Sequence, residues 1–373
     1  MNNVKKNIIF WAALLIIAAG FASAQDVRTV NGIQVISNGK NPNPPKGMAA
    51  GLVLTEDFTI GDSENLDEMV SEPGFIAVDE QENIYALDIK EHNIKVFDRD
   101  GGYLRTIGKK GQGPGELNTP VGLILTPEKE LMVEDALNRR LSFFSREGEF
   151  LRHVSVADRT SLVSLIMNRS GEMAGRELVI EGEKLFWYIR KFDKNLKTLF
   201  DLDKVEFQNP LQSKIDPFDF IQPYIFDERG FLYYGRGKEY VIQVFSGDGR
   251  HVQSIEKKHV PEKVTQDDID KIMELIPDVG PINLRERIEF PKHYPAYETF
   301  SMDSEGRLFV RTFNKTKNEG EFFLDVFDRD GRYIASLPTK SSPRLWKKGK
   351  MYAIEEAEDG IRVIMRYSAE WKK

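Results

Sequence analysis

The sequence predicts an all-β ring, a six-bladed β-propeller of four-stranded blades whose last blade is closed by a strand from the N-terminal side. Three observations predict it. A pattern of strands and turns recurs down the chain, anchored on an aromatic residue at Phe97, Phe144, Phe192, Phe245, Phe327 and Tyr367. Turn residues follow the first five anchors two to four residues on, as Asp100-Gly101, Glu147-Gly148, Lys194-Asn195, Asp248-Gly249 and Asp330-Gly331. Hairpins need such residues because they tolerate left-handed backbone. The third observation is a pair of anomalies that explain each other. An isolated strand, Leu52 to Ile60, precedes the first unit, and the sixth unit ends at Lys373 one strand short. A sheet shared between the two ends leaves no open edge in the array.

Taken in order, residues 1–24 read as a secretory signal peptide: Lys5 and Lys6, an apolar run from Ile8 to Ala19, then Ala22-Ser23-Ala24 as a cleavage site. That run is well short of the about 20 residues a spanning helix needs. The expectation is an exported chain, periplasmic or extracellular, with no membrane span once the leader is cut. No cysteine occurs anywhere, so stability has to come from a large core rather than disulfides. The leader carries two lysines and no acids, which takes the formal charge from −7 to −9 on cleavage. An acidic chain with scattered bases is a poor partner for nucleic acid or anionic lipid. Residues 25–49 are polar and end in Asn41-Pro42-Asn43-Pro44-Pro45-Lys46-Gly47. They read as a tether, with the propeller proper spanning 50–373 as one unit and a monomer expected.

The first repeat is the best kept. Phe75 to Val78, Ile84 to Leu87, Ile94 to Phe97 and Tyr103 to Ile107 alternate with Asp- and Gly-bearing turns. Strand one to two turns recur at Asn168-Arg169-Ser170-Gly171, Asp227-Glu228-Arg229-Gly230 and Asp303-Ser304-Glu305-Gly306. Anchor spacings are 47, 48, 53, 82 and 40, and the one outlier holds an insert between His259 and Lys292. A fixed period with one insert marks an array of supersecondary units. The anchors themselves suit outer strands, where diverging blades need bulk to stay in contact.

From Asn93 to Leu123 the sequence resembles the NHL-repeat family, in particular bacterial exported six-bladed propellers. The matching residues are Pro73 and Asp79, Asn83-Ile84-Tyr85, Asp88, Phe97-Asp98, Arg105-Thr106-Ile107-Gly108 and Gly113-Pro114-Gly115-Glu116-Leu117. The resemblance implies the fold over Leu52 to the C-terminus. It leaves the activity open, because propellers host enzymes, receptors and scaffolds alike.

Sites of chemistry are sparse. Gly108 to Gly115 lacks the Gly-Lys-Ser/Thr ending of a phosphate loop and has no helix after it, so it reads as an inter-blade connector. His92, His153, His251, His259 and His293 share no metal-binding spacing. Asp79, Asp88, Asp98, Asp227 and Asp303 sit where a carboxylate caps its own turn. Similarity to lactonase and strictosidine-synthase-like propellers implies an axial Ca²⁺ with a Glu at the first inner strand, which would be Glu72; the other ligand positions fall near Ser161, Gln222 and Glu298, and none matches that family's Asn or Asp.

The residues just before each inner strand, Glu72, Thr119, Ser161, Gln222, Glu298 and Arg344, are the expected ligand face. Two insertions border it, Val205 to Phe220 and about 260–292. In the latter Val264, Ile269, Ile272, Met273 and Ile276 keep helical spacing, Thr265 and Asp268 suit a capping box, and Pro277 stops the helix. That helix is either a lid or docking element, or a plug on the rim. The expected function is non-catalytic binding of a protein, peptide or glycan at the channel face, with no catalytic residue and no cofactor assigned. The alternative is a Ca²⁺-dependent hydrolase or lyase using the axial channel.

Overall fold

A computed structural model of the protein describes residues 25–208, 213–276, 283–357 and 360–372. The leader and Pro277 lie outside the described residues. The ring is as expected, with six sheets arranged in chain order. Blade 1 holds Pro73–Val78, Ile84–Asp88, Asn93–Phe97 and Tyr103–Ile107. Blades 2 and 3 follow from Pro120 and Ser161, and blades 4, 5 and 6 from Tyr224, Thr299 and Pro343. In every blade four strands form an antiparallel meander from the axis outwards, the cheapest wiring for consecutive strands.

The core lies between blades rather than inside them. Leu87 and Ile94 of blade 1 pack with Leu123, Val133 and Phe144 of blade 2, and the same kind of seam recurs around the ring. Both faces of a blade are therefore buried, which is why second strands such as Ile84–Asp88 are covered along their whole length. Phe97, Phe144, Phe192 and Phe327 are buried at the ends of third strands, and Phe97 meets Tyr103 edge-on at 6.0 Å.

Blade 6 is closed as the matched anomalies require. Gly51–Ile60 pairs antiparallel with Arg362–Lys372, from Ile364↔Ile60 to Lys372↔Gly51. Turn carboxylates do structural work. Asp79 accepts from the Gln81 and Asn83 amides, Asp227 from Arg229 and Phe231, and Asp303 from Glu305 and Arg307. Asp88 accepts from Ser71, Glu72, Lys90 and Glu91. The glycine-rich connector folds on itself, Lys109–Lys110 pairing with Glu116–Leu117 while Arg140 donates to the Gln112, Gly113 and Glu116 carbonyls.

The tether reading of residues 25–49 is corrected. Gln25–Val30 and Ile33–Asn38 form a hairpin whose second strand runs parallel to His251–Lys257, so blade 4 has six strands. Its turn is Asn31-Gly32, with φ of 51° and 81°, the strongest short hairpin signal a sequence carries. Composition and the downstream prolines masked it. Asn38 fixes the hairpin in place. It is buried, donates to the Glu256 and Gly331 carbonyls and accepts from the Tyr333 amide, so it joins blades 4 and 5.

Candidate functional site

At the end of the ring where inner strands begin, the two insertions meet and merge. Ile215 bridges Ile288 in parallel, and Lys214 Nζ donates to the Glu286 carbonyl. Phe218 of the first insertion lies 5.0 Å from Tyr294 of the second, and Tyr294 stacks on Phe313 of blade 5 at 4.6 Å. The expected helix is present at Gln266–Leu275 with Thr265 and Asp268 forming the capping box. Lys315 of blade 5 reaches Asp268 at 2.5 Å. Burial alone would raise the Asp268 carboxyl, but its bonds to Lys315 and Thr265 outweigh that and hold it at about 2. Leu275, at the helix end, is 83% exposed.

Beneath this merged layer, over blade 4, is a cavity of about 350 Å³. Phe218 and Tyr294 give it aromatic walls, while Asp219, Lys238, His259 and His293 give it polar ones. Burial, then the charge of Asp219, pushes Asp216 at its edge above the ordinary carboxylate range. Burial, then the Lys257 ammonium, pushes His259 below the usual imidazole range. The lining therefore mixes anionic acceptors, neutral imidazole and flat apolar faces.

The axial channel has a different character. Counting back three residues from each anchor and across to the second strand gives equivalent positions at Leu87, Glu134, Arg176, Gly235, Arg311 and Ile354. Three of these are charged: Glu134 and Arg176 reach towards the next blade's inner strand, and Arg311 stays within blade 5. Arg176 donates to the Phe220 and Gln222 carbonyls leading into blade 4. Arg311 pairs with Glu298. Glu134, 3% exposed, accepts from the Leu165 amide at 2.8 Å through Oε1. Gly122 makes room for it, since a Cβ there would stand 2.2 Å from that oxygen. Next to it Tyr224 donates its hydroxyl to the Ser164 carbonyl at 2.6 Å.

Burial pushes Glu134 up to about 8, and its Oε2 has no hydrogen-bond partner among the described residues. An acid whose folded pKa exceeds its unfolded value near 4.5 stabilises fully below that value and loses the contribution as pH rises through about 8. Glu134→Gln is expected to abolish this loss. Between pH 5 and 9 the melting temperature of the wild type should fall relative to the variant, by an amount on the order of 2–4 kcal/mol in stability. Parallel curves for the two proteins would refute the assignment.

The expected ligand-face residues divide. Glu298 pairs with Arg311, and Gln222, buried, lines the cavity. Thr119 is exposed with φ of 56°, and its amide donates to His92 Nδ1 at 3.3 Å, which makes His92 a blade 1–2 tie. Ser161 pairs with Leu178 inside its strand, and Glu72, half-buried, donates its amide to the Asp88 carboxylate at 3.3 Å. Arg344 is not before its inner strand but in it, on a bulge between Pro343 and Leu345. No group of three His, Cys, Asp or Glu that could hold a metal occurs among the described residues. The sequence reading missed Glu134, Arg176 and Arg311. Their signal was charge at second-strand positions that are apolar in other copies.

Residues 67–247 match the model of a family described as a 6-bladed beta-propeller, DUF5128. A crystal structure of a Bacteroides fragilis protein described as exported is similar, with a TM-score of 0.58 and 14% identity over 91% of this chain and 100% of that one. A DUF4221-family structure from Bacteroides vulgatus gives 0.53 and 14% over 87% and 99%. The mouse E3 ubiquitin-protein ligase TRIM32 is 40% identical over 52 residues, 14% of this chain and 8% of that protein. No helix among the described residues is long and apolar enough to cross a membrane. By its family-model match and by its own six sheets, the chain is a six-bladed β-propeller.

Proposed function

We propose that the protein is an exported, non-catalytic binding propeller that takes a neutral glycan segment into the roofed cavity over blade 4. The observation that carries this reading is the cavity itself, about 350 Å³ in volume, built by two insertions that the other blades lack. A propeller keeps its blades for stability and varies its loops for recognition. Flat rings from Phe218 and Tyr294 suit the apolar face of a pyranose, and Asp219, Lys238 and His293 offer acceptors and donors for its hydroxyls. Export is supported by the leader and by the similar Bacteroides fragilis protein described as exported.

The test is binding of the leader-free chain to glycan and peptide arrays, followed by calorimetry on the hits. Asp219→Asn and His293→Ala change exposed side chains, and each is expected to weaken binding about tenfold, or about 1.4 kcal/mol. Hits confined to peptides, hits unaffected by both substitutions, or turnover of the bound glycan would each overturn the reading. Added Ca²⁺ is expected to leave the melting temperature unchanged; a large rise abolished by Glu72→Ala would support the hydrolase instead.

A further inference from the structure

A second cavity, of about 400 Å³, lies in the seam between blades 4 and 5. It opens towards the end of the ring that holds the strand one to two and three to four turns. Arg229 stands in the first kind of turn on blade 4, and Arg329 to Arg332 lie in the second kind on blade 5. The N-terminal hairpin that widens blade 4 supplies the outer wall through Val27, Gln34 and Ile36.

Local chemistry holds the blade 5 turn against blade 4. Asp328 accepts from the Asp330 and Arg332 amides, and Gly331 takes a left-handed φ of 82° that a side chain would strain. A Cβ on Gly331 would stand 2.8 Å from Ile255, so the turn approaches blade 4 as closely as only a glycine allows. Asn38 and Gln253 latch it there, donating to the Gly331 and Asp330 carbonyls at 3.0 and 3.1 Å. The arginines of this turn are thereby fixed at the cavity wall.

Three arginines and one carboxylate, Asp330, line the cavity. The acids around it are engaged elsewhere. Asp227 accepts from Arg229 Nε at 2.8 Å, Glu228 pairs with Arg169 of blade 3, Asp248 with Arg250 and Glu305 with Arg307. Asp330 comes no closer to Arg332 than 4.0 Å and its side chain is 70% exposed, a geometry that contributes little in water. Arg329 makes no hydrogen bond or ion pair with a described residue. Beside these charges Phe231, Val244 and Val252 form an apolar floor. A concavity of one sign with a low-dielectric wall focuses its field and concentrates counter-ions, here in a chain whose formal charge is −7.

We propose that Arg229, Arg329 and Arg332 form a binding site for a small organic oxyanion, of the size and charge of a sugar acid or a sugar phosphate. A guanidinium fork meets two oxygens of such a group at once, and Arg329 has both of its forks free. Gln34 and Gln253 on the outer wall offer amides to the hydroxyls of the same ligand.

The site shares no lining residue with the glycan cavity and is tested separately. Calorimetry on the leader-free chain compares glucuronate and acetate with glucose 6-phosphate and phosphate, in chloride buffer at matched ionic strength. At least one of the four is expected to bind with a Kd of about 1 mM or tighter. Binding by the first pair reports a carboxylate site, and binding by the second a phosphate site. Arg329→Gln and Arg332→Gln should each weaken it about tenfold or more. Arg250→Gln, on a neighbouring turn outside the cavity, and Asp219→Asn, in the glycan cavity, should leave it unchanged. Without anion, Arg329→Gln and Arg332→Gln should melt within about 2 °C of the wild type, as surface substitutions do. Four anions that fail to bind at about 10 mM, or binding that survives both cavity substitutions, would overturn the proposal. So would an equal loss in Arg250→Gln, which would mean diffuse surface charge, or anion-free melting well below wild type, which would make the arginines structural.

Discussion

A chain lacking residues 51–60 is expected to lose its monomeric fold and aggregate. Gly51–Ile60 supplies the outer strand of blade 6, and its removal bares the edge of the 11-residue strand Arg362–Lys372. A long unpaired edge is a template for intermolecular pairing. The loss goes beyond backbone. Ile60 is buried in the seam between blades 6 and 1, and Leu52 and Leu54 pack on the seam between blades 5 and 6. Asp57 also ties the sheet together, accepting from Lys350 and Arg366 at 2.9 Å each and from Ser368 at 2.5 Å. Burial opposes ionisation of Asp57, but these bonds prevail and hold it below its ordinary range. Size-exclusion chromatography and melting decide the matter. A soluble monomer with an unchanged melting temperature would show that closure by this strand is dispensable. Removing the 25–38 hairpin makes the contrast, since it lies outside an already complete blade. That truncation should stay monomeric with a modest loss of stability.

Asp325→Ala is expected to cost about 3–5 kcal/mol, the largest effect of any single substitution considered for this chain. Asp325 is 1% exposed in the third strand of blade 5. One of its oxygens accepts from the Tyr240 hydroxyl at 2.7 Å and Lys257 at 2.6 Å, the other from Tyr333 at 2.7 Å and Ser336 at 3.2 Å. Lys257 stands on the fourth strand of blade 4, so the carboxylate joins two blades. Without it an ammonium only 9% exposed at the side chain keeps only aromatic faces at 4.8 and 4.5 Å. Those rings offset part of the loss. Urea unfolding should give a reduced midpoint for Asp325→Ala, with partial recovery in Lys257→Met/Asp325→Leu, where no charge is left unpaired. A loss under about 1 kcal/mol would mean water reaches the site.

How much of this was legible in the sequence depends on whether the signal was local. Turns capped by Asp79, Asp227 and Asp303 were legible, because an Asx side chain bonding amides two and four residues on is a property of one short segment. The helix at Gln266–Leu275 was legible for the same reason, through Thr265 and Asp268. The Asn31-Gly32 hairpin was equally local, and it was missed because attention to polar composition and the following prolines outweighed two strong turn residues. Its docking on blade 4 was not legible, since the parallel pairing of Gln34–Asn38 with Gln253–Lys257 joins segments far apart in the chain.

The candidate sites were legible only in outline. Alignment of repeats put Gln222, Glu298 and Arg344 on one ligand face at the channel mouth, because blade symmetry carries one position to the next; in the structure Gln222 lines the cavity instead and Glu298 pairs with Arg311. It misplaced Arg344 by overlooking the bulge between Pro343 and Leu345, which a periodic pattern cannot show.

The sequence alone determined the ring: its blade count, its closure by Gly51–Ile60, and the turns that shape each blade. Periodicity, turn chemistry and edge pairing are enough for that, because each acts within one repeat or follows from counting repeats. Tertiary structure decided everything at the entrance end. It merged two insertions into one roof through Phe218, Tyr294 and Phe313. It buried Glu134 behind Gly122, and it paired Arg311 with Glu298. Charge and shape at a site depend on which side chains converge in space, and convergence around an axis leaves no trace in the spacing of residues along the chain.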